Sequence, residues 1–413
     1  MEGMKKIYGI VLSLVLLCAP ACQKEELRIV DGEETSPAVP IELTKADGSI
    51  RDASNASGLD IFSRLYAVRG GKDVSFSPLS LSLAFAMAAE GAEGETWRQI
   101  TDAFGWGDAS KAALGAFYRK MIDGLVEADP KVSFTSSNSL WTAKDFAAKD
   151  DYKKMLTDSF AAECYQVDFT AAATLARING WCSDKTDGKI PQMLQQLDPA
   201  TRMMLINALL YKAPWATEWK VEKNRAFRGE GDVSKKDFLH AEKMFGYADL
   251  TDCEAVSLAY GNGAYEMVVF LPKEGRTVEG ILPLVREKAG NLVLPTRTVE
   301  VFLPMFSTEY STEGALPSIL KAKGVRLAFS DGADFSGISA AEAVKISQVL
   351  QKVKIDVTEK GTEFAAVTAI TAVTSALPTT PPKKIVFDAD RPFVYMIRET
   401  STNAILLIGT LSK

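Results

Sequence analysis

The chain has 413 residues, 47% hydrophobic and 24% charged, the composition of a soluble globular protein able to bury a sizeable core. Its formal net charge of -6 and pI near 5.3 argue against nucleic acid as a partner. With one histidine and no GxSxG elbow, P-loop or dinucleotide fingerprint, the common catalytic frameworks are excluded, and the chain reads as a non-enzyme.

Residues 1–21 read as a secretory signal peptide. Lys5 and Lys6 precede the apolar run 7–17, and Ala19-Pro20-Ala21 offers a small-x-small cleavage site. Cys22, followed by Gln-Lys-Glu-Glu, resembles the start of surface lipoproteins of the Bacteroides group. Lipidation of Cys22 would anchor an exported protein in the outer membrane, facing the periplasm or the cell surface; a secreted soluble form is the alternative. Residues 22–54 carry little hydrophobic periodicity and read as a tether. Cys164, Cys182 and Cys253 read as free thiols, and nothing has the spacing of a metal site, so no metal or cofactor is expected.

From residue 55 to 413 no linker or repeat divides the chain, which reads as one domain. Periodicity predicts helices over 57–68, 76–100, 110–127, 150–163 and 171–185, the second opened by Ser77-Pro78. Strand patterns follow at 131–142, 202–212, 255–261, 265–272, 298–304, 344–357, 383–397 and 404–411. Helices first and strands later make an α+β fold with a large sheet.

Between the last two strand regions lies GTEFAAVTAITAVTSALPTTPP, residues 361–382, rich in Thr, Val and Ala, with Glu363 as its one formal charge. An uncharged, β-prone segment belongs in a sheet or aggregates, yet Pro378, Pro381 and Pro382 close it like a loop. Extended, it would carry Thr362, Phe364, Ala366, Thr368, Ile370, Ala372 and Thr374 on one uncharged face, with Glu363 opposite. Insertion into a sheet is therefore physically permitted, and Gly361 suits the hinge. A disordered stalk is the competing reading.

The ordered motifs NSLW (138–141), Ile178-Asn179 to Trp181, TDGKI (186–190), NALLYKAPW (207–215), FLHAEKMF (238–245), ADFSGIS (333–339), TEKGTEFAA (358–366) and FDADRPFVYMIRE (387–399) make residues 55–413 resemble a serpin. The resemblance implies about nine helices around three β-sheets, with a large central sheet and an exposed reactive-centre loop. It implies a monomeric inhibitor that acts as a suicide substrate. A peptidase cleaves the loop, is held as an acyl-enzyme, and is carried away as the loop inserts as a new strand.

By position, the hinge falls on Glu359, Gly361, Thr362, Glu363, Phe364, Ala365, Ala366 and Thr368. The scissile bond falls at Ser375-Ala376, within a window from Thr374 to Leu377. Ser77, Pro78 and Ser80 match the shutter beneath the sheet, Asn179 matches a shutter asparagine, and Gln351 stands where its histidine partner is usual. Trp215 matches the breach, where the loop first enters, and Phe364 replaces the family's alanine, which implies slower insertion. No Lys or Arg occurs in 361–382, so the partner is an elastase-like or subtilisin-like serine peptidase rather than a trypsin-like one. A cysteine peptidase target, and a non-inhibitory carrier or binding module, are the alternatives.

Overall fold

The structure is a computed structural model that describes residues 36–312, 314–349, 351–362 and 384–413. The expected signal peptide and Cys22 lie outside the described residues. So do Glu363, Phe364, Ala365, Ala366 and Thr368 of the hinge, and the window from Thr374 to Leu377.

Order begins earlier than composition suggests. The first helix, α1, spans Lys45–Val68, so 45–54 is helix rather than tether. Its start is fixed by a capping box, Thr44 accepting from Asp47 N while the Asp47 carboxylate accepts from Thr44 N. Ile41 ahead of it is buried beside Gly124.

A two-residue strand β1 (Ser75–Phe76) leads into α2 (Pro78–Gly91), which is apolar on all sides and buried on nearly all of them. The single helix expected over 76–100 is broken at Ala92–Glu93, where the Glu93 N–H leaves the helix for Asp334 O, and α3 (Gly94–Phe104) begins. Then come α4 (Lys111–Glu127), β2 (Ser133–Ala143), α5 (Asp150–Phe160), β3 (Ala162–Val167), α6 (Ala172–Lys185) and β4 (Met203–Pro214). The strand-rich half holds β5 (Lys220–Arg228), β6 (Val233–Asp249), β7 (Cys253–Tyr260), β8 (Tyr265–Pro272), α7 (Val278–Lys288), β9 (Thr296–Pro304), β10 (Phe306–Ser311) and α8 (Ala315–Ala322). It closes with β11 (Lys352–Thr358), β12 (Gly361–Thr362), β13 (Ile385–Asp388), β14 (Phe393–Glu399) and β15 (Ile405–Leu411). The fold is α+β, with eight α-helices among the described residues.

Two of the three expected sheets share a strand. In the order β1-β15-β14-β8-β7-β6-β9-β13, with β5 also on β6, the seventeen-residue β6 pairs β5 and β9 along most of its length and β7 at its end. The other sheet has the order β10-β11-β12-β4-β2-β3. Helix α2 lies between the sheets, against β4 on one side and β15 on the other, which explains its all-round apolarity.

Candidate functional site

The six-stranded sheet contains a strand position that is only begun. Gly361 and Thr362 pair antiparallel with Pro214 and Ala213 of β4 on one side, and with Thr358 and Val357 of β11 on the other. Below them β4 and β11 continue, but no described residue lies between. The gap holds two cavities. The upper, of about 60 Å³, is lined by Leu209 and Tyr211 of β4, Val353 and Ile355 of β11, and Thr362. The lower, of about 380 Å³, is lined by Met203 and Leu205 of β4, residues 345–349, and Leu81 and Phe85 of α2. Ser80, Asn207 and Gln351 line both, so the two are halves of one slot. The strand expected over 344–357 accordingly starts only at Lys352: Lys345 to Val349 face the slot without a strand partner there.

At the head of the slot, the backbone sets the residue choice. Gly361 has φ of 144°, and a Cβ on it would lie 2.1 Å from Ala213 O, so only glycine passes there. Thr362 is buried, and its hydroxyl shares a 2.6 Å hydrogen bond with the Tyr260 hydroxyl. Trp215, singled out from the sequence, stacks on Tyr260 at 4.3 Å and donates its indole N–H to Thr358 O. Its backbone N–H donates to Lys360 O, and Glu359 sits on the exposed turn between. Burial drives the Tyr260 phenol far above its ordinary range, so it stays a neutral hydrogen-bonding group.

Midway down, the residues matched by position to a shutter come together in part. Ser77 caps α2 by accepting from Ser80 N at 3.1 Å, and Pro78 at the first helical position closes on Gly58 of α1. Gln351 clasps the Ser77 backbone with both amide atoms: Ser77 N donates to Oε1 at 2.7 Å, and Nε2 donates to Ser77 O at 3.0 Å. The expected pairing of Asn179 with Gln351 does not form. Asn179 Oδ1 accepts from Met193 N and Leu194 N, and its Nδ2 donates to Leu194 O, because Asn179 lies on α6 and faces the 190–201 segment. The asparagine beside the slot is Asn207. It accepts from the Ser80 hydroxyl and donates to Ser136 Oγ at 3.0 Å and Asn138 Oδ1 at 2.8 Å. Strand alternation could have found it, since 207, 209, 211 and 213 share one face of β4 in the run that ends at Trp215.

The segment between α6 and β4 is tied to both walls of the slot. Asp187 pairs with Lys212 of β4 at 2.8 Å, Lys189 pairs with Asp356 of β11 at 3.2 Å, and Lys352 of β11 donates to Gln192 O. Burial alone would raise the Asp356 pKa, but hydrogen bonds from Ser307 and Lys189 outweigh it and hold the carboxyl below its ordinary range. Among the described residues no group of histidine, cysteine and carboxylate side chains could hold a metal ion.

A sheet with a part-filled strand position, its walls largely apolar with Ser80, Asn207 and Gln351 at mid-height, is what a family-wide comparison then explains. A family model described as Serpin (serine protease inhibitor) matches residues 52–413. The chain belongs to the serpin family. Iripin-2 of the tick Ixodes ricinus is 32% identical over 387 residues, covering 89% of this chain and 94% of that protein. Human Serpin B8 is 30% identical over 87% of this chain and 98% of its own length. Among solved structures, the thermophilic serpin Tengpin in its native state aligns with a TM-score of 0.77 at 28% identity, over 92% of this chain and 97% of that one. Thyroxine-binding globulin in complex with thyroxine aligns at TM-score 0.77 and 24% identity, over 88% of this chain and 98% of its own, a likeness of fold alone. Serpins are in general protease inhibitors, and Gly361 and Thr362 of this serpin already occupy the head of the described slot.

Proposed function

We propose that this serpin inhibits serine-type peptidases as a suicide substrate, with cleavage at Ser375-Ala376 followed by insertion of 363–374 into the slot. The observation that carries this reading is the pairing of Gly361 and Thr362 between β4 and β11. Continued without a bulge, that register sets each further loop residue beside one residue of each wall. Glu363 falls beside Lys212 and Asp356 on the outer face. Phe364 falls beside Tyr211 and Ile355, Thr368 beside Asn207 and Gln351, and Thr374 beside Thr201 and Lys345. Thr201 and Lys345 both line the lower cavity. That register keeps the loop beside cavity-lining residues as far as Thr374, one residue before the proposed cut. A strand of about 14 residues spans on the order of 45 Å, enough to carry an attached enzyme along most of a domain.

The absence of Lys and Arg from 361–382 supports elastase-like or subtilisin-like targets. We further propose that Cys22 is lipidated after removal of 1–21, that the protein is an exported outer-membrane lipoprotein, and that it works as a monomer without a cofactor. Incubation with an elastase or a subtilisin, followed by a denaturing gel, tests the main reading. A covalent band at the summed mass, with mass spectrometry placing the cut at 375–376, is expected. Clean cleavage with full peptidase activity remaining would refute inhibition and favour the carrier reading; a covalent band only with a cysteine peptidase would move the target class. Loss of membrane association in Cys22→Ser tests the anchor.

A further inference from the structure

A carboxylate that the slot does not use lies beneath it. Glu90 sits in the last turn of α2, where the partial negative charge of the helix C-terminus disfavours an anion. Its Oε1 is buried with no hydrogen-bond partner among the described residues. The side chain lies between α4 and α5. A Cβ on Gly115 of α4 would sit 3.6 Å from Glu90 Oε1 and 2.9 Å from Ser159 Oγ of α5, so the absent side chain at 115 makes the space. The charged and titratable groups around it are few. Lys111 at the start of α4 attracts it but is itself paired with Glu93 at 2.8 Å; Tyr152 of α5 faces it, and Cys164 of β3 lies beyond Tyr152. Tyr152 gives its hydroxyl hydrogen to Met87 O rather than to the carboxylate.

At the next residue, Gly91 packs directly on Ile338, a few residues ahead of the 345–349 wall of the slot. The C-terminal end of α2 is therefore packed against the chain that leads to one wall of the slot, and the same helix lines the slot through Leu81, Phe85 and Ala88.

We propose that Glu90 is a pH-sensitive element of the fold, neutral under mildly acidic conditions and charged above them, whose charged form loosens the α2–α4–α5 junction under the slot. Burial pushes the carboxyl up to about 7 from an ordinary 4.5, with the Lys111 charge offsetting only part of it. A carboxyl whose pKa is raised by folding contributes stability that is fully present below about 4.5 and is lost as the pH rises through about 7, with no further change above. The inference concerns the fold and stands whether or not the protein traps a peptidase.

The test is urea unfolding of the whole mature chain at pH values from 5 to 8, for wild type and for the neutral variants Glu90→Gln and Glu90→Met. Relative to each variant, the wild-type unfolding constant should rise by about 10- to 100-fold between pH 5 and pH 7.5, after allowance for the partly exposed carboxyl. Parallel pH curves for wild type and variants overturn the proposal. So does failure of both neutral variants to fold at pH 5, where the wild-type side chain is held to be neutral.

Discussion

Tyr260 of β7 and Thr362 of β12 share a 2.6 Å hydrogen bond between buried hydroxyls, so the residue at the head of the slot is tied to the second sheet. Trp215 stacks on the same tyrosine, which makes Tyr260 the common contact of Thr362 and Trp215. Tyr260→Phe keeps the ring and its stacking but leaves the Thr362 hydroxyl buried without its partner. We expect a loss of about 1 kcal/mol in urea unfolding. Native-state hydrogen exchange at Thr362 should quicken; an unchanged Thr362 amide would mean that the backbone pairing alone holds the hinge.

Gly361 is the more demanding position. Its φ of 144°, and the 2.1 Å that would separate a Cβ there from Ala213 O, leave no relaxed conformation for alanine. Gly361→Ala should expel β12 from between β4 and β11 while leaving those strands on their other partners. Exchange protection at Gly361 and Thr362 would then vanish, and the Trp215 fluorescence should shift as the Lys360 carbonyl leaves its backbone N–H. Retained protection would show that the hinge is not held by the register described.

The slot's dimensions give an opposed pair of loop variants. Thr362→Arg forces a charge into a buried position beside Ala213 and Val357, and burying an unpaired charge is costly, so the variant should be cleaved as a substrate. Phe364→Ala should act the other way. The register sets position 364 beside Tyr211 and Ile355, where the cavity of about 60 Å³ has room for a few water molecules but not for a phenyl ring. Fewer moles of serpin per mole of peptidase should then be needed for complete inhibition. If Phe364→Ala raises that ratio, the ring aids insertion and the crowding argument fails.

How much of this is legible in the sequence follows from how local each feature is. The helix starts at Ser77-Pro78 and Ser110 carry their caps in adjacent residues, and the structure places α2 and α4 there. Composition puts the end of the tether too late because α1 opens on KADGSIRDASNASG, a polar and small-residue run whose helicity depends on the Thr44 cap and on tertiary packing. Strand β5, KVEKNRAFR, is charged and edge-like, and its pairing with β6 is a long-range fact that alternation does not reveal. Within the site, Gly361, Thr362, Trp215, Ser77, Ser80 and Gln351 are all readable from motif position. Asn207 is reachable only through strand alternation along β4, and Tyr260 is not readable at all, because its role depends on a partner on another element, Thr362.

Glu163 supplies the pH counterpart to these contacts. On β3 it accepts from Trp181 Nε1 and Lys185 Nζ, both at 2.7 Å and both on α6, and from the neighbouring Tyr165 hydroxyl. Its limited burial would raise its pKa, but the three hydrogen bonds and the Lys185 charge outweigh that and bring it down to about 2. A carboxyl depressed by folding contributes stability that is present above its ordinary 4.5 and is lost as the pH falls through about 2. Glu163→Gln should therefore lower the melting temperature most at pH 5 to 7, and the two proteins should converge near pH 2. Because α6 begins the segment joined to both walls of the slot, loosening its anchor should also speed exchange of the Met193 and Leu194 amides held by Asn179. A melting difference that stays constant down to pH 2 would place the effect in packing rather than in the charge on Glu163.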